Sequence, residues 1–221
     1  MILKFLALPK ERRNMKIGEI KLQSIALMYP EYKLVYTPDD ASITSTLEAL
    51  SLDPSFSDYL SSMVGAINRA LVCFEIKGLT KAKEIKISPS ECEAVSFNRV
   101  KIPLDKKEVL YVESVFDSCG TSLDFEEAQE LFVQRGTFKG YTIKYKERLP
   151  KISHVTGNSF VIPLNEELLM LIPYFVKGEL LRGESPSEAE ASRKEFEGLL
   201  CEYEKRYTRE QKEVYSIYFQ E

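Results

Sequence analysis

Residues 164–203, LNEELLMLIPYFVKGELLRGESPSEAEASRKEFEGLLCEY, decide how the chain must pack its last third. Leu168, Leu171, Ile172, Phe175, Val176 and Leu180 recur at spacings of three and four. That places them on one side of a helix over Leu164–Leu181. Gly183 ends this helix. Ser185-Pro186-Ser187-Glu188 starts another, with Ser185 at the N-cap and Glu188 at the capping-box position. Ala189, Ser192, Phe196, Leu199, Leu200 and Tyr203 line the inner face of the second helix. Its early small residues (Ala189, Ala191, Ser192) let two helices approach closely, so 164–207 reads as an αα-hairpin. Phe175 and Phe196 are expected to be buried against each other's helices.

Upstream, residues 81–163 change period. Short β-type runs appear at Glu84–Ile87, Glu93–Phe97, Glu108–Phe116, Glu130–Val133 and Phe138–Tyr145, with turn signals at Ser118–Gly120 and Arg135–Gly136. Tyr141, Ile143 and Tyr145 alternate with Thr142, Lys144 and Lys146, as in a half-buried antiparallel strand. Phe160–Ile162 adds a last run, which Pro163 closes. Before this segment the pattern is helical. Ile20, Ser24 and Leu27 form one stripe, with Ile17, Ile25 and Met28 beside it, and Pro30 ends that helix. A short helix follows over Ile43–Leu50. Asp53 then caps a longer one whose first residue is Pro54. Phe56, Tyr59, Leu60, Met63, Val64, Ile67, Leu71 and Phe74 mark its apolar stripe, and Gly78 stops it.

The expected fold class is α+β: a helical core with a C-terminal αα-hairpin and a lateral antiparallel β insert. Domain organisation reads as an N-terminal extension (1–14), a main domain (15–207) and a C-terminal tail (208–221). Within the main domain, 15–80 is helical, 81–163 is the β insert and 164–207 the hairpin. Ile2–Leu8 is an apolar burst followed by Lys10, Arg12 and Arg13, the reverse of a secretory signal's order. Residues 1–14 therefore read as an arm, or as residues upstream of a start at Met15. In the tail, Tyr215, Ile217 and Phe219 alternate with Ser216, Tyr218 and Gln220, a pattern shared by a strand and a helix end.

Composition narrows the function. The 221 residues carry 30 Lys+Arg against 34 Asp+Glu, a net charge of −4. That balance argues against a protein built to grip nucleic acid, which needs clustered basic residues. No apolar run reaches the roughly 18–20 residues of a membrane span, so no membrane partner is expected. The single histidine, His154, excludes any two-histidine site within one subunit. Cys73, Cys92, Cys119 and Cys201 lack CxxC spacing, read as reduced and buried, and promise no zinc site. No metal or cofactor is expected. Asp39-Asp40, Glu126-Glu127 and Glu166-Glu167 could pair as acid and base, but solvated helix faces and caps account for such pairs more often. Asp117-x-Cys119-Gly120 has no histidine nearby in sequence. Lys4, Lys10, Arg12, Arg13, Lys16 and Lys21 could meet phosphates, with little aromatic interleaving to support it. No enzyme is expected.

The order of segments carries a resemblance. MKIGEIKLQSIALMYPEY, SFSDYLSSMVGAINRALVCFEIK, a β region closing in YTIKYKERLPKIS, and FVIPLNEELLMLIPYFVKGELLRGESPSEAEASRKEFEGLLCEYE together resemble the small head–tail connector (adaptor or neck) proteins of tailed bacteriophages and prophages. The similarity covers about 15–206. Its most telling parts are Asn68 within Ile67-Asn68-Arg69-Ala70-Leu71 and the IPYF-x-KGEL run. The resemblance implies a virion structural protein with no catalytic residues, a subunit of a ring joining portal to tail. Its implied partners are the portal, tail or neck proteins and copies of itself, with DNA passing close by. Its implied location is the bacterial host's cytoplasm and then the virion neck. Candidate subunit or portal contacts are Asn68, Tyr215, Ile217 and Phe219. Two other functions fit the same composition: a regulatory or scaffolding interaction module, and a small hydrolase using an acid pair.

Overall fold

The computed structural model describes residues 15–135 and 140–218, with side chains described as far as Thr208. The protein is mixed α+β, with two antiparallel sheets. It divides into two compact units: the described residues up to Ala70 together with those from Ile152 on, and Leu71–Lys151.

The first unit is helical. α1 (Ile17–Met28) is buried nearly all round, with Ile17, Ile20, Leu22 and Ile25 fully enclosed. The expected single stripe was too narrow, and Leu22 belongs to the core. Ser24 is tolerated there because its hydroxyl donates to the Ile20 carbonyl at 2.7 Å. Ile17 and Gly18 donate to the carbonyls of Phe160 and Asn158 at 3.0 and 2.9 Å, so the Phe160–Ile162 run pairs with the start of α1. α2 (Asp40–Ser51) is capped by Asp39, whose carboxylate accepts from the Ser42 N–H at 2.8 Å. α3 (Pro54–Ile76) begins where the Asp53 carboxylate accepts from the Ser55 N–H at 2.9 Å.

The helix expected over Leu164–Leu181 is two pieces, α4 (Glu166–Leu169) and α5 (Ile172–Leu180). Pro173 is the reason: it has no N–H to give the Leu169 carbonyl, so the helical ladder is interrupted and restarts at Ile172. α6 (Pro186–Tyr218) runs for 33 residues, about 50 Å at the helical rise. Backbone helix thus extends as far as Tyr218, into the stretch whose alternation also suited a strand, and no break falls at 207/208.

α5 and α6 touch closely. Gly178 is required, since a Cβ there would lie 2.6 Å from Arg193 Cγ and 3.2 Å from the Ala189 carbonyl. Ser192 donates to the Tyr174 carbonyl at 2.9 Å. The Phe175 and Phe196 rings meet edge to face with centroids 5.1 Å apart. Phe196 is buried, whereas Phe175 is only half-buried.

The second unit takes in the last residues of α3 and eight strands: β1 (Ala82–Ile87), β2 (Glu93–Ser96), β3 (Arg99–Ile102), β4 (Val109–Asp117), β5 (Ser122–Leu123), β6 (Phe125–Glu127), β7 (Leu131–Gln134) and β8 (Tyr141–Glu147). One sheet has the order β1-β8-β4-β5, the other β2-β3-β7-β6. Val100, Ile102, Val115, Leu131, Val133 and Ile143 fill the core with period-two spacing. β3, β5 and β6 were not foreseen. The β segment expected to continue to Pro163 ends at Glu147, and residues from Ile152 group with the helices. Lys146 breaks the alternation expected of β8. Only 3% exposed, it donates to the Thr80 carbonyl at 3.2 Å and lies 3.6 Å from the Glu113 carboxylate.

Gly78 ends α3 as a left-handed residue, φ +65°. The Gly78 N–H reaches the Glu75 carbonyl at 2.9 Å and the Leu79 N–H reaches that of Phe74 at 3.0 Å, the paired bonds of a Schellman stop. A Cβ at Gly78 would also stand 2.8 Å from the Tyr111 hydroxyl. Gly78→Ala should therefore lower stability by about 1–2 kcal/mol. Thermal unfolding of the variant checks this, and an unchanged melting temperature would show that the turn carries no strain.

Candidate functional site

Asn68 projects from the middle of α3 and is half-buried. Its amide nitrogen donates to the Ile152 carbonyl at 2.8 Å, and its amide oxygen accepts from the Ile152 N–H at 2.9 Å. A side-chain amide with one donor and one acceptor thus imitates a neighbouring strand and satisfies both backbone groups of one residue. Ile152 itself is 2% exposed, so those groups would otherwise lie unpaired away from water. The partner is 84 residues away in sequence and is a backbone, so no motif could have disclosed it. Tyr215 and Ile217 lie in the last turns of the α6 backbone, and Phe219 lies outside the described residues. Of the four candidate contacts, Asn68 alone has a described side chain.

The acid pairs are engaged in structure. Asp39 caps α2 and Asp40 meets Lys16 at 2.8 Å. Glu126 meets Arg99 at 2.6 Å, while Glu127 accepts from the Val112 N–H at 2.7 Å and meets Lys106 at 3.0 Å. Glu166 opens α4, and Glu167 meets Arg206 at 2.9 Å. Asp117 closes a turn, accepting from the N–H groups of Cys119 and Thr121, both at 2.9 Å. Lys16 and Lys21 are occupied by Asp40 and by the Asn158 side chain, and the other basic residues singled out near the start lie outside the described residues. His154 is exposed in the turn Ser153–Thr156.

All four cysteines are free thiols, and none is fully buried: Cys73 and Cys92 are half-buried, Cys119 and Cys201 exposed. Burial pushes the Cys92 thiol above its ordinary pKa, which keeps it protonated and a poor nucleophile. Among the described residues, no three His, Cys, Asp or Glu side chains converge as metal ligands. No described helix is long and apolar enough to cross a membrane.

A cleft of about 460 Å³ opens in the second unit, lined by Glu91, Glu93, Lys101, Lys106 and Glu130 above Leu131. None of the adjacent acid pairs singled out in the sequence lines it. Lys101 sits between two of its carboxylates, 3.1 Å from Glu93 and 2.7 Å from Glu130. Hydrogen bonds from the Ser88 side chain and backbone hold the Glu91 carboxyl below its usual pKa, so at neutral pH it is an ionised acceptor. A general acid needs the opposite shift. In this geometry Lys101 offsets the charge of Glu93 and Glu130, and Glu91 stays an ionised acceptor.

A second feature lies in the helical unit. Tyr29, Phe56, Tyr59 and Tyr32 form an aromatic group, with Tyr29–Phe56 and Tyr32–Phe56 centroids 5.2 and 5.1 Å apart. The Tyr59 hydroxyl donates to the Glu184 carboxylate. Burial, and then that bond, push the Tyr59 phenol above its ordinary pKa. Tyr32 remains 49% exposed, giving this group an amphipathic ring at the surface.

No protein-family model matches the chain, and no curated protein matches it.

Proposed function

We propose that the chain is a virion structural protein, a subunit of the head–tail connector ring that joins portal to tail and lets DNA pass. In this reading the helical unit is a core with a C-terminal αα-hairpin, and the β unit is a lateral insert between α3 and α4. The observation that carries it beyond resemblance is the distribution of charge. Residues 15–70 hold seven acids and four bases and residues 152–218 hold twelve and eight, a net −7 for the described residues of the helical unit, while residues 1–14 hold one acid and four bases, a net +3. The β unit, 71–151, holds thirteen acids and fourteen bases, a net +1. A conduit for DNA must not bind its cargo, and a helical face of negative charge repels phosphate. A regulatory or scaffolding module remains the other reading, and it predicts no affinity for portal.

Electron microscopy of the purified protein mixed with its portal tests the reading: rings stacked on the portal vertex are expected, and a full-length chain that leaves the portal bare overturns it. A deletion of residues 209–221 should then lose portal assembly while the melting temperature barely moves. A truncated protein that unfolds or aggregates would instead place the end of α6 in the chain's own core.

A further inference from the structure

β1 is the outermost strand of its sheet, with β8 as its neighbour among the described residues. Its pairing with β8 is unbroken from Ala82↔Lys146 to Ile87↔Tyr141. Of the other three edge strands, β5 and β6 are only two and three residues long, and β2 has a register shift between Ala94 and Ser96, an irregularity that spoils an edge for further pairing. β1 has no such protection.

The direction of its free backbone groups follows from one bond. The Glu147 N–H donates to the Lys81 carbonyl at 2.9 Å, which makes 81↔147 a hydrogen-bonded pair. In an antiparallel ladder such pairs alternate. Residues 83, 85 and 87 therefore turn their N–H and C=O toward β8, while Ala82, Glu84 and Lys86 turn theirs outward. The side chains of 83, 85 and 87 share the face on which Ile87 is buried in the core. Ile85 lies on that core face opposite Ile143, which is fully buried, yet Ile85 is 38% exposed. Neither Glu84 nor Lys86 has an ion-pair partner among the described residues, and both are exposed.

We infer that β1 is a self-association edge whose occupant is β1 of a second copy of this chain, antiparallel and centred on Ile85. A two-fold pairing must join outward-facing residues. Centred on Glu84 it would oppose two carboxylates, and centred on Lys86 two ammonium groups. Centred on Ile85, it sets Glu84 opposite the partner subunit's Lys86 and Lys86 opposite the partner subunit's Glu84. Both of these are hydrogen-bonded pairs, giving four backbone bonds. The two Ile85 side chains meet as the close, non-hydrogen-bonded pair, so the core face continues across the join.

The contact is short, so the association is weak and dependent on concentration. Sedimentation equilibrium of the full chain up to about 1 mM should show mass rising toward a dimer. Lys86→Glu places like charges opposite each other at both positions and should weaken the dimer roughly tenfold. The double variant Glu84→Lys with Lys86→Glu restores opposite charges and should recover the association. Both side chains are exposed, and matching melting curves confirm that the variants fold. Hydrogen exchange supplies a second readout, since the Glu84 and Lys86 amides should gain protection as concentration rises. A mass that stays monomeric to 1 mM overturns the inference, and so does a dimer indifferent to Lys86→Glu. A two-fold pair is isologous and cannot be a contact between neighbours in a ring, so the dimer is a state of the free chain, distinct from the connector assembly. Portal has no part in these measurements, so their failure and that of the connector reading are separate results.

Discussion

Phe196→Ala is expected to lower the stability of the protein by about 3–5 kcal/mol. Phe196 is 5% exposed on α6, its ring edge against that of Phe175 on α5. Gly178, Ala189 and Ser192 draw those two helices too close for neighbouring side chains to fill the space a benzyl group would leave. The cavity would persist, and its cost adds to the lost transfer of the ring out of water. At this chain length the melting temperature should fall by roughly 10 °C. Phe175→Ala should cost distinctly less, because that ring is half-buried and part of its surface is already hydrated. Equal losses for the two variants would mean that the partners share burial evenly, and silence from both would mean that α5 and α6 do not pack as described.

The helices were legible where a local signal and a one-sided apolar pattern coincided. Asp53 and Pro54 announce α3, and Phe56, Met63, Ile67 and Phe74 then keep to its buried side. α1 was legible as a helix but not as a fully surrounded one, because enclosure of Leu22 depends on neighbours distant in sequence. Pro173 was visible, yet the apolar spacing on either side of it masked the break between α4 and α5. β3 and β6 escaped for a different reason. Strands of three or four residues carry one or two inward positions, too few to establish a period, and tertiary pairing alone makes them strands. Lys146 looked like the polar half of an alternating strand. Its burial follows from the Thr80 carbonyl and the Glu113 carboxylate that the fold sets around the ammonium group. The acid pairs show the converse: their residue types invited a chemical reading, and their geometry assigns them to caps and ion pairs.

Asn68→Ala should cost about 2–4 kcal/mol, although it removes only the side-chain amide group from one helix face. The cost arises on Ile152. Its N–H and C=O both lose their partner at once, in a place where the residue is 2% exposed and water does not readily replace the amide. Each orphaned buried group carries a penalty of roughly 1–3 kcal/mol, well above the net worth of an ordinary hydrogen bond. Asn68→Asp separates this account from a simple loss of volume. The carboxylate retains an acceptor for the Ile152 N–H but turns a second acceptor toward the Ile152 carbonyl, where the amide offered a donor. Asp should therefore destabilise nearly as much as Ala at neutral pH and recover part of that loss in acid, where protonation restores a donor. The sign follows from linkage: opposition to the charged form raises the carboxyl's folded-state pKa, so stability falls as pH rises through the titration. Thermal unfolding of both variants between pH 4 and pH 7, a window that spans the ordinary carboxylate range, is the measurement. An Asp variant as stable as wild type at neutral pH would show that the pairing with Ile152 does not hold the chain, and Asn68 would return to being a candidate contact for a partner.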